Sequence, residues 1–413
     1  EFRRVLFRSV YVPQSSQIND QEEEEFFRLP CDYWLEMAQD AQSIKLLVVP
    51  SNKKELGSGA YVKVYDAHSF KIPLIASVRN KNIPYKQKVL KKAQDDLVPS
   101  DIEEILEGVS IQKKLLSLDP NMKIVKMSKR LGNANEWKQA RYDGNLADAS
   151  HDRLVLVRLE SSDSGTKEVK FMDRFFGITD SLNVLIDCAE ALSVMHKHLL
   201  VHGDVKPANI LIKINEDNKA VGCISDFDLI QEVGESTENN YKYWDRLART
   251  LGIKTPFCDI YGLTMSLGVA LITDFKPEES FVRLENETEG ISFINDQIKS
   301  LSLQLFAENQ LITDTIFKVD PNKIIESIEL LLQDESFLEI KRLKLFRNVY
   351  NLILQILQID KKIYNLVQGN QILKQALTDE SEIVRLRAVE TLFEVAKVPD
   401  IVNSLIELRS VLD

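Results

Sequence analysis

The feature that most constrains this chain is a polar stretch held between apolar ones. In LLVHGDVKPANILIKI, the residues His202 to Asn209 interrupt two runs rich in Leu, Val and Ile. Further on, SDFDLI places Asp226 and Asp228 either side of Phe227. The apolar runs read as strands and the polar stretch as the loop between them. A plain turn needs Gly, Pro or Asn, but not an aspartate, a lysine and an asparagine followed by a second acidic loop. A fold that uses these groups must bring Asp204, Lys206, Asn209 and Asp226 together.

The bulk properties narrow the class. With 413 residues the chain is long enough for two or three domains. Hydrophobic residues are 44% and charged residues 28%, as in ordinary globular proteins. A formal net charge of −11 argues against nonspecific binding to nucleic acid or to an anionic membrane. The four cysteines, Cys31, Cys188, Cys223 and Cys258, form no C-x-x-C pair, so neither zinc nor a redox dithiol is expected. A reducing cytoplasm is the simplest compartment. No apolar run approaches the roughly 20 residues that span a bilayer, and EFRRVLFRSV lacks the apolar core of a secretory signal.

Along the chain, five segments are expected. Residues 1–20 read as disordered or non-native sequence outside the fold. Residues 21–50, QEEEE and then an aromatic and apolar stretch, read as a helical extension. Residues 51–160 are strand-rich: AYVKVYDA, YKQKVLKK and RLVLVRLE have strand patterns. A helix interrupts them, opened by a capping box at Ser100–Glu103. LGNANEWKQARYDGNLADAS reads as a long loop. From 161 to 310 helices dominate: Leu182, Leu185, Ile186, Ala189, Leu192 and Met195 recur at helical spacing, and DIYGLTMSLGVALIT is apolar nearly all round. Residues 320–413 are helical and charged. Asp-Glu-Ser recurs at Asp334 and Asp379, which is either a HEAT-like period or a chance tripeptide in a plain helical extension. Two such units are too few to stand alone, so this tail is expected to pack on the preceding domain and to offer a surface to a protein partner.

Phosphoryl transfer needs a carboxylate to orient the attacking hydroxyl, oxygen ligands for magnesium, and a cation near the moving phosphoryl group. Asp204, then Asn209 with Asp226, and Lys206 supply that set. HGDVKPAN followed by DFD resembles the protein-kinase catalytic loop H-R-D-x-K-P-x-N and its D-F-G. The resemblance covers about 52–305 and implies a two-lobed α+β fold: an antiparallel β-sheet lobe and a mainly helical lobe, here with an α-helical C-terminal extension. It implies ATP and Mg²⁺ as cofactors and a protein substrate. Gly57 and Gly59 in GSGAYVKVY resemble the glycine-rich loop, Val62 stands for its third glycine, and Tyr61 caps the phosphates or packs the hairpin. Lys88 is expected to hold the phosphates, with Lys86 and Arg79 as rivals. Glu107 is its expected helix partner, with Glu103 and Glu104 as alternatives. Asp259 resembles the scaffold aspartate that binds the catalytic-loop backbone, and also suits a helix N-cap. His202 is given no chemical role.

Three departures matter. Gly203 replaces the arginine that pairs with a phosphorylated activation segment, so activity is expected not to depend on that phosphorylation. No A-P-E precedes Asp259. Asp228 replaces glycine, at a cost of about 1–2 kcal/mol if the position needs left-handed angles, with like-charge repulsion beside Asp226. Neither cost abolishes nucleotide binding. A protein serine/threonine kinase is the leading expectation. The aminoglycoside and choline kinase branch, which shares H-G-D and tolerates D-F-D, comes second. A nucleotide-binding pseudokinase scaffold comes third.

Overall fold

The computed structural model describes residues 3–4, 10–12, 27–29, 31–37, 43–50, 55–58, 62–73, 85–94, 97–130, 136–149, 154–161, 168–234, 243–272, 277 and 338–413. The chain divides into two compact units, residues 1–120 with 125–141, and residues 121–124 with 142–413.

The first unit is an eight-stranded antiparallel sheet with one helix. Its strands are β1 (Arg3–Arg4), β4 (Cys31–Met37), β5 (Ser43–Pro50), β6 (Glu55–Ser58), β7 (Val62–Pro73), β8 (Tyr85–Ala93), β9 (Met127–Arg130) and β10 (Glu136–Ala140). The order is β1-β4-β5-β7-β8-β10-β9, with β6 on β7. A separate ribbon pairs β2 (Val10–Val12) with β3 (Phe27–Leu29). Side-chain alternation gives the sheet two faces. One carries Leu47, Val49, Ala67 and Leu90. The other carries Val62, Ala93 and Trp137, on which helix α1 (Pro99–Leu118) packs through Ile105 and Val109.

Four expectations are corrected here. Residues 21–50 were expected to be helical, but β4 and β5 are strands, because Leu47 and Val49 alternate into the core. Residues 1–20 were set outside the fold, yet Arg3–Arg4 pair with Leu35 and Trp34. The expected loop after Leu131 contains β10: Trp137 and Gln139, two apart, are buried at 0% and 4% exposure. Helix α1 begins at Pro99, so Ser100 lies inside its first turn instead of capping it.

The second unit is mainly helical. RLVLVRLE is indeed a strand, β12 (Leu154–Ser161), but it pairs locally with β13 (Glu168–Phe175). Because that hairpin belongs to the second unit, the division falls at 141/142 and not near 160. Helix α2 (Leu146–Ala149) follows β11 (Gly144–Asn145). Helix α3 (Ile178–Lys197) buries Leu182, Leu185, Ala189, Leu192 and Met195 as its spacing predicts. Helix α4 (Arg246–Leu251) is capped by Asp245, whose Oδ1 accepts from Leu247 N and Ala248 N at 2.8 and 3.1 Å. Helix α5 (Pro256–Leu271) is buried along almost its whole length. Two of its polar residues are satisfied inside the helix: Thr264 and Ser266 donate to the carbonyls of Ile260 and Gly262.

The tail is helical: α6 (Leu338–Gln368), α7 (Gln371–Leu377), α8 (Glu382–Ala396) and α9 (Ile401–Ser410). It is part of the second unit, packing α6 on α4 and α5 and α9 on α3. Asp360 of α6 is fully buried and accepts from Arg246 N at 2.7 Å. Of the Asp-Glu-Ser echo, Asp379 leads into α8, while Asp334 lies outside the described residues. No helix among the described residues is long and apolar enough to cross a membrane.

Candidate active site

Two loops carry the polar motifs, and two short ribbons hold them side by side. β14 (Leu200–Val201) enters the first loop, and β15 (Ile210–Ile214) leaves it. β16 (Ala220–Ile224) enters the second, and β17 (Gln231–Glu232) leaves it. β15 pairs with β16 and β14 with β17, so each end of one loop is tied to an end of the other. Ser225 completes the seam: its N and Oγ both donate to the Asn209 carbonyl at 2.9 Å.

Within the first loop Asp204 is the centre. It is 6% exposed, and its Oδ2 accepts from Lys206 Nζ at 2.7 Å and Asn209 Nδ2 at 2.8 Å. Asn209 Nδ2 also donates to the Asp204 carbonyl at 2.9 Å. Both amide hydrogens of Asn209 are thus committed, and its side-chain oxygen takes no part in these bonds. Asp204 Oδ1 is buried without a hydrogen-bond partner. A buried carboxylate oxygen in that state is poised to accept from an incoming hydroxyl. Burial pushes the Asp204 pKa up, and the Lys206 ammonium opposes the rise. Asp226 pushes it further up, which places that carboxylate within electrostatic reach.

His202 is scaffold, as expected. It is fully buried, and burial lowers its pKa. Asp204 N donates to Nδ1 at 3.3 Å, so Nε2 carries the proton toward the Ser225 carbonyl at 3.1 Å. Its ring meets Phe227 edge-on at 5.0 Å. Asp259 binds the same loop: Oδ2 accepts from His202 N and His196 Nε2, and Oδ1 from Gly203 N, all at 2.9 Å. Burial alone would raise its pKa, but the His196 bond and charge outweigh it and hold Asp259 below the usual carboxylate range. The N-cap of α5 is Thr255, so of its two expected roles Asp259 performs the scaffold one.

Backbone strain falls where it was not expected. Asp226 is left-handed, with φ of 69°, whereas Asp228 is not among the positive-φ residues. The conformational cost assigned to Asp228 does not arise, and a glycine there is not required by the backbone.

Gly203 is explained by its surroundings. Its φ is 76°, and a Cβ on it would lie 2.7 Å from Lys254 Nζ and 2.9 Å from the Leu229 carbonyl. Lys254 is 1% exposed, and its ammonium lies 4.3 Å from the Trp244 ring centroid. Trp244 Nε1 donates to the Gly203 carbonyl. Lys254 and Trp244 were missed in the sequence, because a lone lysine ahead of a buried helix reads as a surface residue.

The structure brings Asp204, Lys206, Asn209 and Asp226 together, but not the expected pair Lys88 and Glu107. Lys88 stands opposite Ala67 and Ala140, on the face that carries Leu90, whereas α1 packs on the other face. Glu107 is exposed on α1. A sheet separates the two, so they form no pair. Lys91 stands opposite Val64 and Trp137, on the α1 face. Lys86 stands opposite Ser69. Gly57 lies in β6 opposite Val64, while Gly59, Tyr61 and Arg79 lie outside the described residues.

Comparison with known proteins agrees with this geometry. Residues 51–250, just under half of the chain, match the family described as protein kinase domain. Serine/threonine-protein kinase PknB of Mycobacterium leprae (strain TN) is 28% identical over 97 residues, 23% of this chain and 15% of that protein. Probable serine/threonine-protein kinase gdt8 of Dictyostelium discoideum is 23% identical over 177 residues, 41% of this chain and 13% of that protein. U-box domain-containing protein 70 of Oryza sativa subsp. japonica is 28% identical over 156 residues, 31% of this chain and 18% of that protein. The chain spans less than a fifth of the length of each of these relatives. The match over 51–250, with the antiparallel sheet and the helical second unit, supports a protein kinase-like superfamily for that part of the chain.

Proposed function

We propose that the chain transfers the γ-phosphate of ATP to a serine or threonine hydroxyl of a protein substrate. The observation that carries this reading is the buried Asp204 carboxylate, with Oδ2 held by Lys206 and Asn209 and Oδ1 left unbonded. Asp204 orients the incoming hydroxyl and takes its proton, and its burial makes it a stronger base than an exposed aspartate. Lys206 neutralises charge on the moving phosphoryl group. Among the described residues no cluster of three His, Cys, Asp or Glu forms a metal cage. That fits Mg²⁺, which is commonly held by one or two protein oxygens together with substrate phosphates. The Asn209 amide oxygen and the Asp226 carboxylate are the residues that would hold it. Bound there, magnesium would offset the negative charge of the phosphates. Gly57 and Gly59 are assigned to the phosphates with Lys91, which replaces Lys88 in that role on the strength of its face.

The test is Mg²⁺-dependent transfer from labelled ATP to generic protein substrates, with Asp204→Ala as control. Transfer that persists in Asp204→Ala overturns the reading. A second reading, a small-molecule phosphotransferase, is favoured by Gly203 and by the third carboxylate, Asp228. Transfer to small alcohols and not to protein decides for it. Nucleotide binding without any transfer decides for a scaffold.

A further inference from the structure

We propose that the helical tail is a built-in clamp on the segment that follows the second loop, with Arg385 as its positioning residue. The proposal rests on the phosphotransferase reading above. It starts from residues 231–234, which leave the D-F-D loop and pair back onto the strand that enters the catalytic loop. Each of the four is held. The side chain of Gln231 accepts from Lys254 Nζ at 3.4 Å. Val233 N donates to the Leu199 carbonyl at 2.9 Å, and Gly234 N to the Lys254 carbonyl at 3.0 Å. Glu232 is taken by the tail, through an ion pair with the Arg385 guanidinium.

Two further observations make this more than a chance surface pair. Arg385 is only 9% exposed, and its Nη1 donates to the carbonyls of Asp379 and Glu380 at 2.9 and 3.2 Å. The guanidinium is therefore fixed by its own turn before it meets Glu232, and little side-chain entropy is lost in the pairing. The α7–α8 turn also touches the segment directly. Gly234 has φ of 93°, and a Cβ there would lie 2.0 Å from the Leu377 carbonyl. The two backbones approach so closely that only glycine fits.

The contacts run in one line. Arg385 and Leu377 press on Glu232 and Gly234, Gly234 binds Lys254, and Lys254 fills the space beside Gly203 in the catalytic loop. The chain supplies this ordering contact from its own C-terminal helices. The tail thus holds the post-metal segment in register with Asp204 and Asp226.

The experiment uses the full chain with Glu232→Lys, which reverses the charge on an exposed side chain and leaves the turn around Arg385 intact. Transfer and amide hydrogen exchange at 231–234 are read on the same samples. The expected result is a roughly tenfold fall in kcat with KM for ATP unchanged, faster exchange at 231–234, and an unchanged melting temperature. Glu232→Gln, whose amide oxygen can still accept from Arg385, should keep kcat within about threefold of the wild type, which loss of a merely structural residue would not do. Unchanged kcat and exchange in Glu232→Lys, or an equal loss in Glu232→Gln, overturns the clamp. If the wild-type chain transfers no phosphate, the phosphotransferase reading fails, and hydrogen exchange alone then decides whether the tail holds the segment.

Discussion

The catalytic loop and strand β8 both carry residues assigned to phosphate chemistry, and they differ in what fixes them. In the loop, Asp204, Asn209 and the backbone of His202 and Gly203 are each held by specific bonds to Lys206, Ser225 or Asp259. The role of each residue follows from its place in a contiguous motif. In β8, six of the nine residues from Tyr85 to Ala93 are Lys, Tyr or Gln, and a single step along the strand moves a lysine from one face of the sheet to the other. Chemistry written in a bonded loop can be read locally. Chemistry written on a strand depends on which face the helix covers, which only the packing of Ala93 against Ile105 and Val109 decides.

Substitutions can break or sharpen that contrast. The largest effect belongs to the loop. Asp204→Ala should lower kcat about 10³-fold with the fold retained, checked by transfer assay and circular dichroism. A loss below about tenfold would remove Asp204 from the centre of the site. Next is the strand. Lys91→Met should cost about 10²-fold in kcat/KM, while Lys88→Met should stay within about threefold. The reverse order would show that the face assignment is wrong. Third is the scaffold. Asp259→Ala leaves the N–H groups of His202 and Gly203 buried and unpaired, at about 2–4 kcal/mol of stability by denaturant unfolding. An unchanged midpoint would mean that the loop holds itself. Fourth, Asp228→Gly should change kcat by no more than about threefold, since the backbone there has no left-handed strain to relieve. Abolished transfer would make Asp228 part of the metal site.

The smallest effect is one of pH. Asp245 is pushed up from 3.8 to about 7, first by burial and then by the charge of Asp360 beside it, with Arg249 opposing. Between those two pH values the folded chain holds a proton that the unfolded chain has released. The stability this group supports is therefore greatest at the acid end and falls as pH rises toward 7. Asp245→Asn keeps the helix cap and removes the titration. The melting temperature of the variant should gain about 2 °C on the wild type between pH 5 and pH 8. Parallel curves would show that Asp245 is not the titrating group.

Much of the second unit was legible beforehand. The spacing of α3, the apolar run of α5, the grouping of Asp204 with Lys206 and Asn209 and the scaffold contacts of Asp259 all follow from contiguous patterns. What was not legible depended on partners distant in sequence. The stretch from Cys31 to Pro50 reads as helix until Leu47 and Val49 are seen against Ala67 and Leu90. Lys254 is buried only because Gly203 leaves room for it and Trp244 faces its ammonium. The strain at Asp226 has no signature in residue type, since aspartate is common in both ordinary and left-handed turns.

Helix α9 packs against α3, the helix that leads into the catalytic loop. During synthesis α3 leaves the ribosome long before α9 exists. The nascent second unit must therefore wait with an apolar seam uncovered, as other long-range folds do. A premature stop ahead of Ile401 would leave that seam bare for good. Its product would be a substrate for chaperones and proteases, and not an enzyme released from control.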